Sequence, residues 1–327
     1  MLGAFSRLAA NSVWRALILY RLYLCCLQPT LLTLSRAPVT LLLREKLVAD
    51  TPLQATPQEA RAPEVPSVRE VLEDLAKSTV LKVQDYSKLS ARAIRNLASG
   101  PRYVQDTVDQ MDDIGVGSLP IVLLSGFFIG AVMVLQTGAQ FERFGQASLT
   151  GDIVSLALIR ELGPSITGLL VAGRCSSGIA SELGSMLVTE QVDAMRAMGT
   201  DPSRKLVTPR VLATLITLPL LTTISVFVGL IGGMVASVLS LRISATTFWE
   251  RAIKIVQFSD IMQGFSKTVV FAFILATVGC YQGLNVKGGT QGVGRATTQA
   301  VVVSSVLIIV SDTFLTRLAL WLADKFF

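Results

Sequence analysis

Five long apolar stretches constrain the fold of this chain more than any other feature of its sequence. A helix needs about 20 apolar residues to cross a hydrocarbon core roughly 30 Å thick. Hydrophobic residues make up 51% of the chain and charged residues 16%, whereas roughly a quarter of a soluble domain is charged. The sequence therefore predicts an all-α integral membrane protein with about five transmembrane helices, approximately over residues 119–141, 153–173, 207–239, 265–284 and 300–322.

Two absences narrow the chemistry that the chain can perform. The sequence contains no histidine, which excludes Ser-His catalysis, HExxH zinc sites and imidazole proton relays, and disfavours an intramembrane hydrolase. It also contains no Gly-Lys dipeptide, so it lacks a nucleotide phosphate-binding loop. We predict no catalytic residue, no metal site and no cofactor on this chain, and any ATP is expected to be used by a partner subunit. The net charge of +6 is attributed to membrane topology and lipid headgroups rather than to nucleic acid.

The region before the first span divides into three predicted segments. Residues 1–49 are basic and apolar, which is typical of a targeting segment or of an interfacial helix. Residues 50–67 are rich in proline and form a linker. Residues 68–114 are predicted to form an amphipathic interfacial helical region, because apolar residues recur there at helical spacing among lysines and arginines. The membrane domain is assigned to residues 115–327.

Basic residues predict the orientation of the spans. The 174–206 segment carries Arg196, Arg204 and Lys205, so the positive-inside rule places it in the cytoplasm. The N-terminal side then lies inside and the C-terminus lies outside. The 240–264 loop conflicts with the rule, because it carries three basic residues and is assigned outside. An amphipathic helix on the outer surface would reconcile it.

Several polar residues lie within or beside the predicted spans. Arg160 and Glu161 fall in the middle of the second span and Asp312 falls in the last. A charge there costs at least ~2.5 kcal/mol, so each should face protein or a water-filled cavity. Adjacent helical residues point about 100° apart, so Arg160 and Glu161 each need a separate partner, either along a substrate pathway or in a structural ion pair. A hydrogen bond to a neighbouring serine or backbone group would be a sufficient partner for Asp312. Arg295 follows a glycine-rich turn before the last span.

Two GxxxG pairs lie within apolar spans. Gly126 and Gly130 are in the first span, and Gly229 and Gly233 are in the third. Small residues at this spacing let helix backbones approach closely. The pattern predicts tight packing, either within the subunit or between the subunits of a homodimer.

The segment between the second and third spans is the most specific feature of the chain. Thr189 is predicted to cap a short helix with Glu190 and Asp193 in its first turn, and Gly199 and Pro202 mark its end. Its apolar residues fall near one face. Such a stripe usually packs within its own chain, but a helix between two spans has little core to join, so we favour docking into a partner's groove. The stripe consists of Val188, Val192, Met195 and Met198.

These motifs resemble the MlaE permease family, whose members are the membrane subunits of ABC transporters that move phospholipids with Mce-domain lipid-binding partners. The resemblance extends from about residue 115 to the C-terminus, and residues 1–67 have no counterpart in it. The matching strings follow in order: RELGP at 160–164, AGR at 172–174, ELGSM at 182–186, TEQVDAM at 189–195, MGTDP at 198–202, TPR at 208–210 and GVGRATT at 292–298.

The resemblance implies a homodimer of five-span subunits, each preceded by an interfacial helix, with a lipid cavity between them. The helix around 190–198 would be the coupling helix that docks onto a soluble ABC ATPase, which uses the ATP. Arg160, Glu161 and Arg295 would line or adjoin the lipid path. A bacterial inner membrane is the expected location, with the plastid inner envelope as the alternative. The competing hypothesis is a non-transporting membrane scaffold that anchors a lipid-binding complex.

Overall fold

The computed structural model describes residues 68–99 and 103–326. The predictions for residues 1–67 lie outside this described part. Within it the chain forms eight helices, which we number α1 to α8: Val68–Ser99, Val104–Arg143, Ala147–Val188, Gln191–Ala197, Ser203–Ser240, Ala245–Ile255, Phe258–Leu284 and Gly289–Phe326.

Five of the helices in the described part are long and apolar enough to cross a membrane, namely α2, α3, α5, α7 and α8. This confirms the predicted all-α membrane architecture. The helices extend beyond the predicted spans, because their polar end turns continue as helix outside the apolar stretch. For example, α2 begins at Val104 and has Asp106 in its first turn. The region predicted as 68–114 therefore comprises α1 and the first turns of α2.

The order of the spans places the connecting segments at two ends of the bundle. Because consecutive spans alternate in direction, α4 and the α7–α8 loop lie at one end and α6 lies at the other. Contacts at each end agree with this arrangement. Lys205 at the start of α5 contacts Asp106 at the start of α2, and Arg251 of α6 contacts Asp152 near the start of α3. We refer below to the α4 end and the α6 end.

Small residues allow α2 and α5 to pack backbone against backbone. A methyl group placed on Gly130 would lie 1.8 Å from the carbonyl oxygen of Gly229, and one on Gly126 would lie 2.8 Å from the carbonyl oxygen of Ser225. The predicted GxxxG glycines, Gly233 included, therefore pack against one another within this chain. We call this contact the α2–α5 seam; on α2 it buries Ile114, Ser118, Val122, Gly126, Gly130, Val134 and Gly138.

Two further helices, α1 and α6, flank the spans. In α1, Ala93 is buried, and the Tyr86 hydroxyl lies 2.9 Å from the hydroxyl oxygen of Thr277 in α7. The placement of α1 in a membrane interface stays a prediction. In the 240–264 loop, α6 buries Phe248 and exposes Ile253, and its position on an outer membrane surface stays a prediction.

Three π-helical turns interrupt the regular helices of the described part, over Leu158–Leu162, Ala172–Ser176 and Ser203–Val207. Such a turn adds a residue to the helical repeat and so changes the direction of the side chains around it; π turns are frequent at functional sites. Each of the three turns carries a charged residue that bonds to another helix.

Candidate functional site

The first π turn positions Arg160 against the beginning of α7. Its guanidinium donates from Nε and Nη2 to one carboxylate oxygen of Asp260, at 2.8 and 2.5 Å. Asp260 is almost fully buried, whereas the Arg160 side chain keeps 41% of its surface exposed. The second oxygen of Asp260 accepts the backbone N–H of Gln257 at 2.9 Å, which caps α7. The buried carboxylate is therefore fully bonded, while part of the guanidinium stays accessible.

Glu161 points to a second cluster, which is centred on Lys267 of α7. The Lys267 ammonium bonds to a carboxylate oxygen of Glu161 and lies 3.0 Å from Asp312 of α8. It also donates to the hydroxyl of Thr316 at 2.8 Å. The Ser165 hydroxyl donates to Asp312 at 2.7 Å, so the predicted serine partner is present. One buried cation thus holds two carboxylates from two other helices.

We call Arg160, Asp260, Glu161, Lys267 and Asp312 together the charged network. The sequence predicted three of its members but neither Asp260 nor Lys267. A signal for Lys267 was available, because it is a lysine inside the predicted 265–284 span. It was missed because the pairing depends on how α3, α7 and α8 are rotated against one another.

An apolar pocket of about 260 Å³ adjoins the charged network. It lies between α3, α5 and α7, and Phe227 and Phe265 are among its lining residues. Three lining residues are the immediate chain neighbours of network residues: Ile159 precedes Arg160, Ile261 follows Asp260 and Thr268 follows Lys267. An apolar cavity whose lining residues are chain neighbours of charged residues suits an amphiphilic ligand.

Arg295 does not belong to the charged network. It is exposed near the beginning of α8, and Asp312 follows in the same helix at a distance of ~25 Å, from a rise of about 1.5 Å per residue. Arg295 therefore lies toward the α4 end, whereas the network lies nearer the α6 end. The structure does not bring the three predicted lipid-path residues together.

Thr189 does not cap α4, which corrects the prediction. Its hydroxyl donates to the carbonyl oxygen of Ser185 at 2.9 Å, because Thr189 still continues the hydrogen bonding of α3. The chain reverses at Glu190, whose φ is +59°, and α4 begins after it. Left-handed backbone is uncommon for a residue with a side chain. The predicted end is confirmed, since Gly199 has a φ of +78° and follows the last turn of α4.

The predicted apolar stripe of α4 is divided between two surroundings. Val192 is fully buried within this chain, in a cluster with Leu183 and Val207, and Met195 packs against that cluster. Met198 points outward with 74% of its surface exposed, and Val188 is also exposed. The stripe therefore anchors α4 to the bundle on one side. The exposed residues of α4 and of the positions flanking it are polar apart from two alanines and Met198; they are Glu190, Gln191, Asp193, Ala194, Arg196, Ala197 and Met198.

Three charged pairs connect helices at the α4 end. Lys205 binds Asp106 at 2.5 Å. The nearly buried Arg210 binds Glu182 at 2.6 Å. Arg174 in the second π turn lies 3.5 Å from the Asp113 carboxylate and also donates to the carbonyl oxygen of Asp113 at 2.8 Å. These pairs connect α2, α3 and α5.

Comparison with known proteins decides the family. The protein-family model described as Permease MlaE matches residues 107–318, which is more than half of the chain. The chain belongs to the MlaE permease family. As an MlaE permease it is a multi-pass membrane protein and a transport subunit rather than an enzyme, as the sequence predicted.

Relatives in three kinds of organism support this membership. A probable ABC transporter permease protein of Rickettsia felis is 41% identical over 236 residues, which cover 72% of this chain and 91% of that protein. The intermembrane phospholipid transport system permease protein MlaE of Haemophilus influenzae is 37% identical over 64% of this chain and 81% of its own length. The protein trigalactosyldiacylglycerol 1, chloroplastic, of Arabidopsis thaliana is 35% identical over 68% of this chain and 64% of its own length.

Proposed function

We propose that this chain is the permease subunit of an ABC-type transporter that moves phospholipids across or out of a membrane. The Haemophilus influenzae relative is named for phospholipid transport, and the Rickettsia felis relative is named as an ABC transporter permease. A separate ABC ATPase binds and hydrolyses the ATP, because this chain has no phosphate-binding loop in its sequence. An Mce-domain protein exchanges the lipid with the permease.

The phospholipid assignment depends most on the apolar pocket beside the charged network. A phospholipid needs an apolar surface for its acyl chains and a cation for its phosphate. The pocket between α3, α5 and α7 supplies the first, and the exposed part of the Arg160 guanidinium supplies the second. Because Asp260 already holds Arg160 in place, the phosphate is bound by a cation whose position is fixed.

The coupling to the ATPase is assigned to the outward face of α4. This helix lies between two spans, where a soluble subunit can reach it, and Val192 fixes its inner side in the bundle. The exposed Met198 offers an apolar side chain to a partner groove. Of the six predicted coupling residues, Thr189, Glu190, Asp193 and Met198 are exposed. Val192 and Met195 support the helix from within.

The remaining partner is a second copy of this chain. α2 exposes a row of large apolar residues on the side opposite the α2–α5 seam, including Leu124, Phe128 and Leu135. We assign this face to a homodimer with a lipid cavity between the subunits. The location is a bacterial inner membrane, in keeping with relatives in Rickettsia and Synechocystis, and the plastid inner envelope is the alternative.

Lipid transfer in proteoliposomes tests the proposed function. The permease is reconstituted with its ATPase and Mce-domain partners, and the transfer of a fluorescent phospholipid is followed with and without ATP. We expect ATP-dependent transfer that falls about tenfold in Glu161→Gln, because Lys267 loses one of its two carboxylates. Glu250→Gln is the matched control, since Glu250 is exposed on α6, and it should transfer lipid at the wild-type rate.

The scaffold hypothesis makes the opposite prediction. A scaffold would bind its partners without any ATP-dependent movement of lipid, and Glu161→Gln would change nothing. Absence of ATP-dependent transfer by the intact wild-type complex, with its partners still bound, would favour the scaffold over transport.

A further inference from the structure

Lys205 connects the segment after α4 to the beginning of α2. Its ammonium lies 2.5 Å from a carboxylate oxygen of Asp106 and 4.5 Å from the centre of the Tyr103 ring. A cation over an aromatic face and beside a carboxylate is attracted by both groups. Lys205 and Asp106 are half-buried, with 37% and 38% of their side-chain surfaces exposed. The contact joins positions that are 99 residues apart in the chain.

Two groups of local hydrogen bonds lie between α4 and Lys205, one at the end of α4 and one around Asp201. Thr200 donates to the carbonyl oxygen of Met195 at 3.0 Å, which closes the turn at the end of α4. Lys205 donates to the carbonyl oxygen of Asp201 at 3.2 Å, and the Asp201 carboxylate accepts the N–H of Ser203 at 3.0 Å. The segment from α4 to the third π turn therefore contains two hydrogen-bonded turns rather than an extended chain.

A shared apolar core supports the same segment from behind. Val192 of α4, Leu206 and Val207 of the third π turn, and Ala93 of α1 belong to one buried cluster. Densely packed groups transmit a displacement because they cannot be compressed independently. This packing joins α4 to the third π turn, which carries Lys205.

We propose that Lys205 is the joint that transmits movement of α4 to α2. By binding Asp106 and Tyr103, Lys205 makes the first turn of α2 follow the segment after α4. α2 in turn carries the exposed apolar face that includes Leu124 and Phe128. Lys205 is a positioning residue that acts through α2, and the inference depends on the proposed role of α4 in coupling.

The test is a double-mutant cycle on the reconstituted complex, in which ATP hydrolysis and phospholipid transfer are measured together. Lys205→Gln and Asp106→Asn should each raise the ATP used per lipid moved about fivefold, while the ATPase stays bound. The double variant should be no worse than either single variant, because both remove one contact. Lys205→Arg should retain wild-type coupling. Lys287→Gln, an exposed lysine in the α7–α8 loop at the same end, is the control and should be unchanged.

Unchanged ATP use per lipid in Lys205→Gln would contradict the proposal that Lys205 transmits movement to α2, and would leave the proposed function intact. A wild-type permease that binds no ATPase would instead overturn the proposed coupling. Hydrogen exchange tests the role of Lys205 even when no ATPase is bound. Amide exchange over residues 103–110 and 199–205 should speed up together in Lys205→Gln and not in Lys287→Gln. Unchanged exchange in both segments would contradict the contact as a mechanical connection.

Discussion

The α2–α5 seam and the charged network hold helices together by opposite means. The seam is built from small residues that bring two backbones into contact, as at Gly130 and Gly229. The network is built from long charged side chains that reach across α3, α7 and α8, with Lys267 only 1% exposed. A backbone contact of this kind has one geometry. Lys267 is shared by two carboxylates, so we expect the network, rather than the seam, to change during transport.

The two regions also differ in how much folding free energy is lost when one residue of a contact is removed. A glycine leaves no polar group behind, whereas a buried ammonium or carboxylate without its partner is strongly unfavourable. Stability should therefore fall when volume is added in the seam, and when a charge is removed from the network. The following predictions test this difference, from the largest expected effect to the smallest.

Lys267→Met should destabilise the chain by about 4 kcal/mol, because it leaves Glu161 and Asp312 without their shared cation. The free energy of unfolding in detergent measures the effect. The triple variant with Glu161→Gln and Asp312→Asn in addition should recover most of the loss, since it removes the uncompensated charges. If the single and triple variants unfold alike, the network is not a balanced set of charges.

Gly130→Ala should destabilise the chain by about 2 kcal/mol. The added methyl group would lie 1.8 Å from a backbone oxygen of α5 and would force the two helices apart. Gly178→Ala is the matched control, because nothing lies within 4 Å of its added methyl group and alanine favours a helix. Thermal unfolding of both variants measures the difference, and equal stability would show that the seam is loosely packed.

Met198→Asp should change the free energy of unfolding by less than about 0.5 kcal/mol, yet it should abolish co-purification of the ATPase. The reason is that Met198 is 74% exposed and contributes little to the fold. Val192→Asp is the contrasting variant, because Val192 is fully buried and a charge there destabilises the permease itself. Retention of the ATPase by a folded Met198→Asp variant would contradict the assignment of α4 as the coupling helix.

Much of the fold could be predicted because membrane spans are local features of the sequence. Apolar length predicted the five spans, and the GxxxG spacing predicted close helix packing. The partner of the Gly126–Gly130 pair could not be predicted, since the spacing is the same for contacts within and between chains. The structure shows that Gly229 of the same chain fills this role.

The candidate site was less predictable because it depends on contacts between distant segments. The intramembrane positions of Arg160 and Glu161 predicted that each needs a partner, and each has one in α7. Nothing local identified Asp260 as the partner of Arg160. The capping of α4 by Thr189 was predicted wrongly, since sequence alone did not show that its hydroxyl bonds back to the last turn of α3.

Photo-crosslinking at two exposed apolar positions tests the central claim most directly. A photoreactive amino acid replaces Met198 on α4 or, as the control, Ile253 on α6, which are 74% and 67% exposed at opposite ends of the bundle. With the complete transporter in membranes, position 198 should crosslink to the ATPase subunit and position 253 should not. A crosslink to the ATPase from position 253, or none from position 198, would contradict the account of α4 as the segment through which a separate ATPase drives this permease.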